Sequence, residues 1–326
     1  QPFHNGHYRF LDEVLSNSDR IVVGIGSAFQ ARSPRNPFLW QERSEMVRCA
    51  FSPDQNQRMS IVPLRDFYNS QRWCNNTLRI LGETLSQFSD CGQSKVIWYR
   101  NSHEISDDAC CNLPDGWEWR ASTRHGNFDA TEIRDRLLRG LSNRSNAKSP
   151  SKSFSKRLKL VADDLPPQVL AWLQQHTLHD VWRTLQAEWR TLNQIRQSWR
   201  SAPFPPSFVT VDAVVCCQQK VLLIRRGRPP GEGLMALPGG FVEQHETIFE
   251  AVLRELHEET AIELTRQQLR QSLVGHKVFD HPLRSQFGRV ITCAHCFQLG
   301  SRQFPGIKAG DDARNALWVS ISDLCS

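Results

Sequence analysis

The chain has 326 residues, of which 39% are hydrophobic and 23% are charged, and its formal net charge is +6. This length accommodates two domains, and the mild positive charge permits binding of anionic nucleotides without requiring a nucleic-acid partner. The sequence has neither an apolar run of about eighteen residues nor a signal-peptide pattern, so we expect no membrane partner and no secretion.

The cysteine content bears on the redox compartment. Ten cysteines are present, but a disulfide framework suits a short secreted domain rather than a chain of this length. Cys293 and Cys296 have a ligand-like spacing, with His295 between them, yet no second pair stands where a structural zinc site needs one. We therefore expect reduced thiols without metal, in a cytoplasmic protein.

The first part of the chain alternates helical and strand patterns. Apolar residues repeat at helical spacing at Phe10, Leu11, Val14 and Leu15. Residues 21–26 form an apolar run typical of a buried parallel strand, residues 77–88 have a helical pattern, and residues 95–98 have a strand pattern. The alternation predicts a doubly wound α/β domain. Because a strand should precede the first motif, we also expect that the N-terminus is truncated.

A serine-rich basic segment lies between the two halves. Residues 136–162 contain eight basic and no acidic residues, which is typical of a flexible solvated loop. The same charges also suit a nucleic-acid or nuclear-targeting patch, and both interpretations stay open. A helical pattern follows over residues 165–200, and Pro205 marks a linker. We therefore divide the chain into three segments, 1–142, 143–205 and 206–326.

The last segment combines strand patterns with a helix. The helix covers residues 247–260, and the strands lie near 210–216, 221–226, 275–279, 289–299 and 316–319. These elements predict an α+β domain.

Three glutamates share one face of this helix. Glu255, Glu258 and Glu259 have i, i+3, i+4 spacing, and like charges so placed weaken a helix unless cations neutralise them. Hard divalent cations prefer oxygen ligands and also bind phosphates, so this face is a candidate site for Mg²⁺ or Mn²⁺. Arg254 can pair with Glu246 and fix the preceding loop against the helix. The alternative is an ordinary charged helix face.

Gly240, Glu246 and residues 254–259 together resemble the Nudix box. The resemblance implies structural roles for Gly240, Glu246 and Arg254, while the three glutamates bind metal and are catalytic. The family has Gly where this chain has Ala261. Because Ala adds only a methyl group, we expect a small cost and an intact site.

Residues beyond the box resemble the substrate segment of Nudix enzymes that act on ADP-ribose. The similarity covers residues 278–285, 288–289 and 308–313. It implies hydrolysis of ADP-ribose to AMP and ribose 5-phosphate, with substrate contacts from Phe279, Asp280, Arg284 and Arg289. Phe287 stands where the family often has Arg, which weakens the case for one phosphate contact. The alternative is that these are strand and turn residues with solvated charges.

Two histidines and a glycine precede the first helix. His4, Gly6 and His7 form a His-x-Gly-His motif at a helix N-terminus, where backbone N–H groups and the helix dipole favour phosphate. The motif and residues 35–43, 65–73 and 128–134 resemble, in order, the nicotinamide mononucleotide adenylyltransferases.

This second resemblance implies a Rossmann-like nucleotidyltransferase domain. In that family, nicotinamide mononucleotide attacks the α-phosphorus of ATP and gives NAD and pyrophosphate. His7 would stabilise the transition state, and the implied substrate contacts are His4, Gly6, Arg35, Asn36, Trp73, Thr131 and Arg134. Asp129 stands where the family usually has Ser, and its carboxylate would repel phosphate.

The order of the two domains resembles that of bifunctional enzymes that fuse this transferase to a Nudix hydrolase. We predict a cytoplasmic enzyme of NAD metabolism that uses Mg²⁺ or Mn²⁺ and takes ATP, nicotinamide mononucleotide and ADP-ribose. One alternative is that the N-terminal domain is a non-catalytic nucleotide-binding module that regulates the hydrolase. Another is a DNA-binding regulator with a Nudix fold, against which the three intact glutamates argue. The sequence is compatible with a homo-oligomer and does not fix the oligomeric state.

Overall fold

The computed structural model describes residues 2–88, 95–100, 113–121, 126–139, 154, 156–176, 179–300, 303–310 and 313–324. The chain forms two compact units, Gln1–Trp189 and Arg190–Ser326. In the described ranges, no helix is both long enough and apolar enough to cross a membrane. The division into segments 1–142, 143–205 and 206–326 stays a prediction.

The first unit contains parallel strands joined by helices. Its first elements are α1 (Asn5–Ser16), β1 (Ile21–Ile25), α2 (Trp40–Ala50), α3 (Pro53–Gln57), β2 (Met59–Pro63), α4 (Ser70–Leu85), β3 (Val96–Arg100), β4 (Trp117–Ala121) and α5 (Ala130–Leu138). β1 pairs with β2 in parallel, and β3 pairs with β4 in parallel. Because parallel neighbours need a crossover connection, α2 and α3 lie between β1 and β2 in the chain. This is the α/β arrangement that the sequence predicts.

Three further helices follow, and the last of them continues beyond Trp189, the end of the first unit. They are a 3₁₀ helix (Lys159–Asp164), α6 (Pro167–Gln175) and α7 (His179–Ser198). The predicted helical region from 165 to 200 is therefore two α-helices. α6 begins at Pro167, where the missing N–H of proline costs no helical hydrogen bond.

Apolar faces of these helices form the core of the first unit. Fully buried side chains in this core include Leu15, Met46, Ile133, Leu137 and Leu138. α4 begins earlier than the predicted residue 77, because Asn69 caps it. The Asn69 side chain accepts a hydrogen bond from Arg72 N at 2.8 Å, which satisfies one of the amide groups left free at a helix start.

The described end of the basic segment belongs to the fold of the first unit. Arg136 forms an ion pair with Asp164 at 2.9 Å and donates to the Leu160 carbonyl at 3.0 Å. Leu158 and Val161 are buried in the core. Residues 140–153 and 155 lie outside the described residues, so neither interpretation of the basic charges is tested.

The second unit is built on one mixed sheet of six strands. The strands are β5 (Ser207–Cys217), β6 (Lys220–Arg226), β7 (Met235–Ala236), β8 (Leu273–Phe279), β9 (Arg289–Leu299) and β10 (Ala313–Ser320). Their order is β10-β6-β5-β9-β8, with β7 paired to β6. β5 and β9 are parallel, and the other pairs are antiparallel. α8 (Ile248–Thr260) and α9 (Arg266–Ser272) lie between β7 and β8 in the chain.

The central strand β5 separates the core of the second unit from a polar face. Val211 and Ala213 are buried in the same apolar cluster as Leu256 of α8. Because side chains alternate along a strand, Asp212 faces the opposite side of the sheet, where it is half-buried. β5 therefore supports α8 on one face and carries a carboxylate on the other.

The cysteine prediction holds for five of the described thiols and fails for one. Cys49, Cys216, Cys217, Cys293 and Cys296 are not disulfide-bonded. Cys74, which is buried on α4, is disulfide-bonded, so the expectation of a reduced thiol is wrong at that residue. The prediction used a compartment rule that describes typical usage and ignores the local packing that brings an individual pair together.

α8 ends in a left-handed residue that is not glycine. Ala261 has φ 41° and ψ 38°, and its N–H donates to the His257 carbonyl at 2.8 Å. In this conformation the Cβ of any residue except glycine approaches the backbone too closely. The methyl group of Ala261 therefore imposes strain where the Nudix pattern has glycine.

We predict that Ala261→Gly stabilises the second unit by about 0.5–1 kcal/mol, since relief of left-handed strain exceeds the added entropy of the unfolded chain. The midpoint of urea unfolding should rise. Ala251→Gly is the matched control, because Ala251 is fully buried inside the same helix and glycine there should lower the midpoint. A midpoint lowered by both substitutions would contradict the strain argument.

Candidate active sites

Helix α8 presents the carboxylates of the second unit, and a capping box fixes its start. Glu250 N donates to Thr247 Oγ1 at 3.3 Å, and Thr247 N donates to Glu250 Oε2 at 2.9 Å. These reciprocal bonds satisfy amide groups that have no partner within the helix. Leu256 is buried against the sheet, and Glu255 and Glu258 are more exposed than Leu256.

Arg254 binds three carboxylates at once. Its guanidinium donates two hydrogen bonds to Glu246, at 2.6 and 3.0 Å, and one each to Glu255 and Glu258 at 2.9 Å. A further bond, 3.0 Å long, reaches the Phe241 carbonyl. The hydrogen bond from Arg254 lowers the pKa of Glu246, and the bonds to Glu246 raise the pKa of Arg254. The predicted pairing of Arg254 with Glu246 is confirmed, and it attaches the loop before α8 to the helix.

Two consecutive glycines bring the loop close to these carboxylates. A Cβ at position 240 would overlap the Glu255 carboxylate, so a larger residue there would displace that side chain. Gly239 N donates to Glu259 Oε2 at 2.9 Å, and Glu259 is buried. A Cβ at position 239 would overlap the backbone carbonyl of Val211, so glycine is required there by the close approach of two backbone segments.

The electrostatics of this cluster fit a divalent cation. The three carboxylates on Arg254 and its single guanidinium leave a formal charge of −2. Burial raises the pKa of Glu255, because desolvation disfavours the charged form. Among the described residues, no three His, Cys, Asp or Glu side chains converge closely enough to hold a metal ion. The oxygen donors and the excess negative charge suit Mg²⁺ or Mn²⁺, provided that carboxylates move away from Arg254.

Asp212 is a site residue that sequence reasoning missed. A Cβ at position 239 would lie 2.8 Å from Asp212 Oδ1, so Asp212 touches the same loop that contacts Glu259. Burial raises the pKa of Asp212, and the charges of Arg284 and Arg226 oppose this effect. The sequence feature that could have identified Asp212 is that it is the one carboxylate in a strand of mostly apolar residues. A charge in such a strand is rarely left without a partner.

The residues predicted to contact substrate lie at the ends of β8 and β9. Phe279 is 44% exposed, which leaves its ring accessible to a ligand. Arg284 donates to Thr292 Oγ1, and Arg289 donates to the Asp280 carbonyl. The structure thus links Arg289 with Asp280 and connects Arg284 electrostatically to Asp212. Both arginines are half-buried, and Asp280 is exposed.

The histidine motif of the first unit forms the start of α1. His4 Nδ1 accepts from Gly6 N at 3.1 Å and from His7 N at 3.3 Å, so His4 caps the helix. The His4 and His7 rings stack with centroids 3.7 Å apart. A Cβ at position 6 would lie 3.0 Å from the His4 ring and 3.2 Å from Phe128, so glycine permits this packing.

Both imidazoles are neutral at pH 7. Burial lowers the pKa of His4 to about 4, because the charged form loses its hydration. Desolvation and the neighbouring His4 also lower the pKa of His7, although this residue keeps an exposed edge. At neutral pH these rings therefore donate or accept hydrogen bonds without a full positive charge.

The start of α5 lies beside this motif. The Phe128 ring stacks on His4 at 5.8 Å, and Asp129 caps α5 by accepting from Thr131 N at 2.7 Å. Arg134 is buried and donates to the Arg35 carbonyl at 3.2 Å. The structure thus brings Thr131 and Asp129 together and joins Arg134 to the loop that carries Arg35.

The remaining predicted residues of the first unit occupy two further places. Asn36 is buried and donates to Gln30 Oε1 at 2.6 Å, while Arg35 beside it is exposed. Trp73 on α4 stacks with Trp98 on β3, with centroids 6.4 Å apart. Arg134 connects Arg35 to α5.

Family models and relatives agree with the two-unit arrangement. Residues 206–325 match the family described as NUDIX domain, and residues 1–108 match the family described as Cytidylyltransferase-like. Over 92 residues the chain is 32% identical to the nicotinamide/nicotinic acid mononucleotide adenylyltransferase of Acinetobacter baylyi, covering 28% of this chain and 49% of the relative. Over 116 residues it is 39% identical to the ADP-ribose pyrophosphatase of Methanocaldococcus jannaschii, covering 36% of this chain and 63% of the relative.

A solved structure matches both units together. It is the crystal structure of a bifunctional NMN adenylyltransferase/ADP ribose pyrophosphatase of Francisella tularensis complexed with AMP and a manganese ion. The TM-score is 0.78 at 31% identity, and the match covers 99% of this chain and 91% of the other. The predicted fold class is confirmed: a nucleotidyltransferase-like domain precedes a Nudix domain. The chain belongs to the family of bifunctional NMN adenylyltransferase/ADP-ribose pyrophosphatase proteins.

Proposed function

We propose that the chain hydrolyses ADP-ribose to AMP and ribose 5-phosphate in its second unit and makes NAD in its first unit. The observation that carries the hydrolase assignment is the carboxylate cluster at α8, in which Arg254 binds Glu255 and Glu258 of the helix and Glu246 of the preceding loop. The fourth acid, Glu259, accepts a hydrogen bond from Gly239 N. The membership of the chain in a bifunctional family supports both activities, and no observation favours a purely regulatory first unit.

In the hydrolase, Glu255, Glu258 and Glu259 would hold Mg²⁺ or Mn²⁺. When bound, such an ion lowers the pKa of water and neutralises phosphate charge. The buried Glu259 is fixed by the Gly239 N–H, so its orientation depends on the loop conformation. Gly240, Glu246 and Arg254 have structural roles, because they determine how closely the loop approaches the helix.

Substrate selection in the hydrolase requires residues outside the cluster. Arg284 and Arg289 would contact phosphate, and the exposed Phe279 ring and Asp280 would contact the rest of ADP-ribose. Asp212 would hold the two nearby cations in place, since its half-buried carboxylate attracts Arg226 and Arg284. A buried acid beside arginines keeps their charges directed towards the site when substrate is absent.

In the transferase, nicotinamide mononucleotide would attack the α-phosphorus of ATP directly. No protein nucleophile is needed, so positioning and charge stabilisation supply the rate enhancement. His4, Gly6 and His7 would surround the phosphates as neutral groups, and Thr131 and Arg134 would contribute from α5. Arg35, Asn36 and Trp73 would complete the substrate contacts, with Trp73 stacking on the nicotinamide ring. The enzyme is proposed to act in the cytoplasm.

We predict that Glu259→Gln lowers ADP-ribose turnover by roughly a hundredfold or more, because it removes a ligand charge and keeps the size of the side chain. Product AMP is measured with saturating Mg²⁺. Glu263→Gln is the matched control, since Glu263 is exposed outside the cluster and should retain normal turnover. Near-normal turnover of the Glu259 variant would remove this residue from the mechanism.

For substrate choice, we predict that Arg284→Ala lowers kcat/KM for ADP-ribose by about 10- to 1,000-fold, because a charged contact to phosphate is lost. The same assay with NAD and NADH should show lower efficiency than ADP-ribose in the unmodified protein. Arg266→Ala, an exposed change on α9, is the control. Equal efficiency on all three substrates, unaffected by either substitution, would refute the ADP-ribose assignment and leave Nudix hydrolysis intact.

For the first unit, we predict NAD formation from nicotinamide mononucleotide and ATP, and a loss of roughly 100-fold or more in His7→Ala, because a transition-state hydrogen bond disappears. NAD is quantified chromatographically. His176→Ala is the control, since His176 is exposed at the end of α6. Binding of ATP without NAD formation would instead support the regulatory alternative.

A further inference from the structure

A segment from a distant part of the sequence caps the last turn of α8. Lys308 N donates to the Thr260 carbonyl at 2.8 Å, and Gly310 N donates to the Glu259 carbonyl at 3.2 Å. The carbonyl groups of a last helical turn have no partner within the helix. This capping segment, residues 306–310, therefore supplies hydrogen bonds that the helix cannot make by itself.

The position of Gly310 leaves no room for a side chain. A Cβ at position 310 would overlap the backbone carbonyl oxygen of Glu258. Gly310 does not have a positive φ, so glycine is needed there for space and not for a left-handed conformation. The obstacle is backbone and not the end of a flexible side chain. An added methyl group must therefore move either the capping segment or the end of α8.

This end of α8 carries two of the acids proposed to bind the cation. Glu259 is held at both ends, because its side chain accepts from Gly239 N at 2.9 Å and its carbonyl accepts from Gly310 N. Glu258 contributes its carboxylate to the cluster on Arg254 and its carbonyl to the contact with Gly310. Ligand groups must be held within about 0.5 Å of their working positions, so the backbone of this turn affects whether both carboxylates reach one ion.

We infer that Gly310 is a positioning residue of the metal site, which fixes the turn of α8 from which Glu258 and Glu259 project. The inference rests on the proposed hydrolase function, since these acids are metal ligands only in that assignment. Gly310 acts through the helix backbone and not on the substrate. Because coupling between two sites is reciprocal, a capping segment that favours metal binding must itself be stabilised when the metal binds.

The first test measures cation affinity directly. Calorimetric titration of the full chain with Mn²⁺, without nucleotide, gives the dissociation constant, and the binding that Glu259→Gln abolishes is the binding at α8. Gly310→Ala should raise this constant by about 10- to 100-fold, which is typical when a group that orients metal ligands is removed. The Mg²⁺ concentration that gives half-maximal AMP release should rise with it.

Two other glycines of the second unit provide matched controls. A Cβ at Gly275 on β8 would meet no atom within 4 Å. The nearest atoms to a Cβ at Gly306, within the capping segment itself, belong to the carboxylate of Glu263, an exposed side chain that can move. Gly275→Ala and Gly306→Ala should therefore bind Mn²⁺ as tightly as the unmodified chain. The unfolding midpoint of each variant separates a loss of folding from a loss of metal affinity.

The second test needs no substitution in the capping segment, so it decides the inference even if Gly310→Ala does not fold. Hydrogen exchange followed by mass spectrometry reports on the amides of Lys308 and Gly310, which are protected while they cap α8. Saturating Mg²⁺ should slow their exchange in the unmodified chain and should leave it unchanged in Glu259→Gln.

The outcomes separate this inference from the proposed function. The inference is overturned if Gly310→Ala binds Mn²⁺ as tightly as the unmodified chain, if both control variants lose as much affinity, or if Mg²⁺ does not slow exchange at residues 308–310. In each case, AMP release from ADP-ribose by the unmodified chain would leave the hydrolase assignment intact. If the unmodified chain shows no Mn²⁺ binding that depends on Glu259, the inference fails, and a lack of AMP release as well would remove the hydrolase assignment.

Discussion

The second unit depends on how the negative charge of one helix face is compensated. Glu255 and Glu258 lie one helical turn from each other on α8, and Glu246 approaches from the preceding loop. A single guanidinium, that of Arg254, binds all three. This contact holds the loop and the helix together, and the loop can lie this close because Gly239 has no Cβ to overlap the Val211 carbonyl and Gly240 none to overlap the Glu255 carboxylate. The compensation is partial, and the remaining charge suits a divalent cation.

The first unit handles charge in a different way. Its two histidines are neutral at pH 7 and stack on each other, so they stabilise the start of α1 through hydrogen bonds and ring contacts. On α5, the buried Arg134 is held by its hydrogen bond to the Arg35 carbonyl. A reaction that needs no protein nucleophile gains from such rigid polar groups, because preorganised dipoles stabilise developing charge without rearranging.

Contacts between residues close in the sequence could be predicted from the sequence, whereas contacts between distant segments could not. The pairing of Arg254 with Glu246 follows from helical spacing and a short loop, and the structure confirms it. The role of Asp212 could not be predicted, because its neighbours Gly239, Arg226 and Arg284 come together only when the sheet forms. Helix starts set by a side-chain cap, such as Asn69, also depend on geometry that periodicity does not encode.

Both candidate sites satisfy their own charges with protein groups. Arg254 binds the acids proposed to hold a cation, and Asp129 binds the amide groups suited to an anion. In the proposed hydrolase, a cation bound by Glu255 and Glu258 would replace their hydrogen bonds to Arg254. The net affinity is the difference between the new contact and the old one. Such self-compensation stabilises the folded chain without its ligands, because Arg254 offsets part of the carboxylate charge at α8 and Asp129 satisfies an amide group at the start of α5. The strength of the hydrogen bonds that Arg254 donates to these carboxylates would then affect the affinity for the cation.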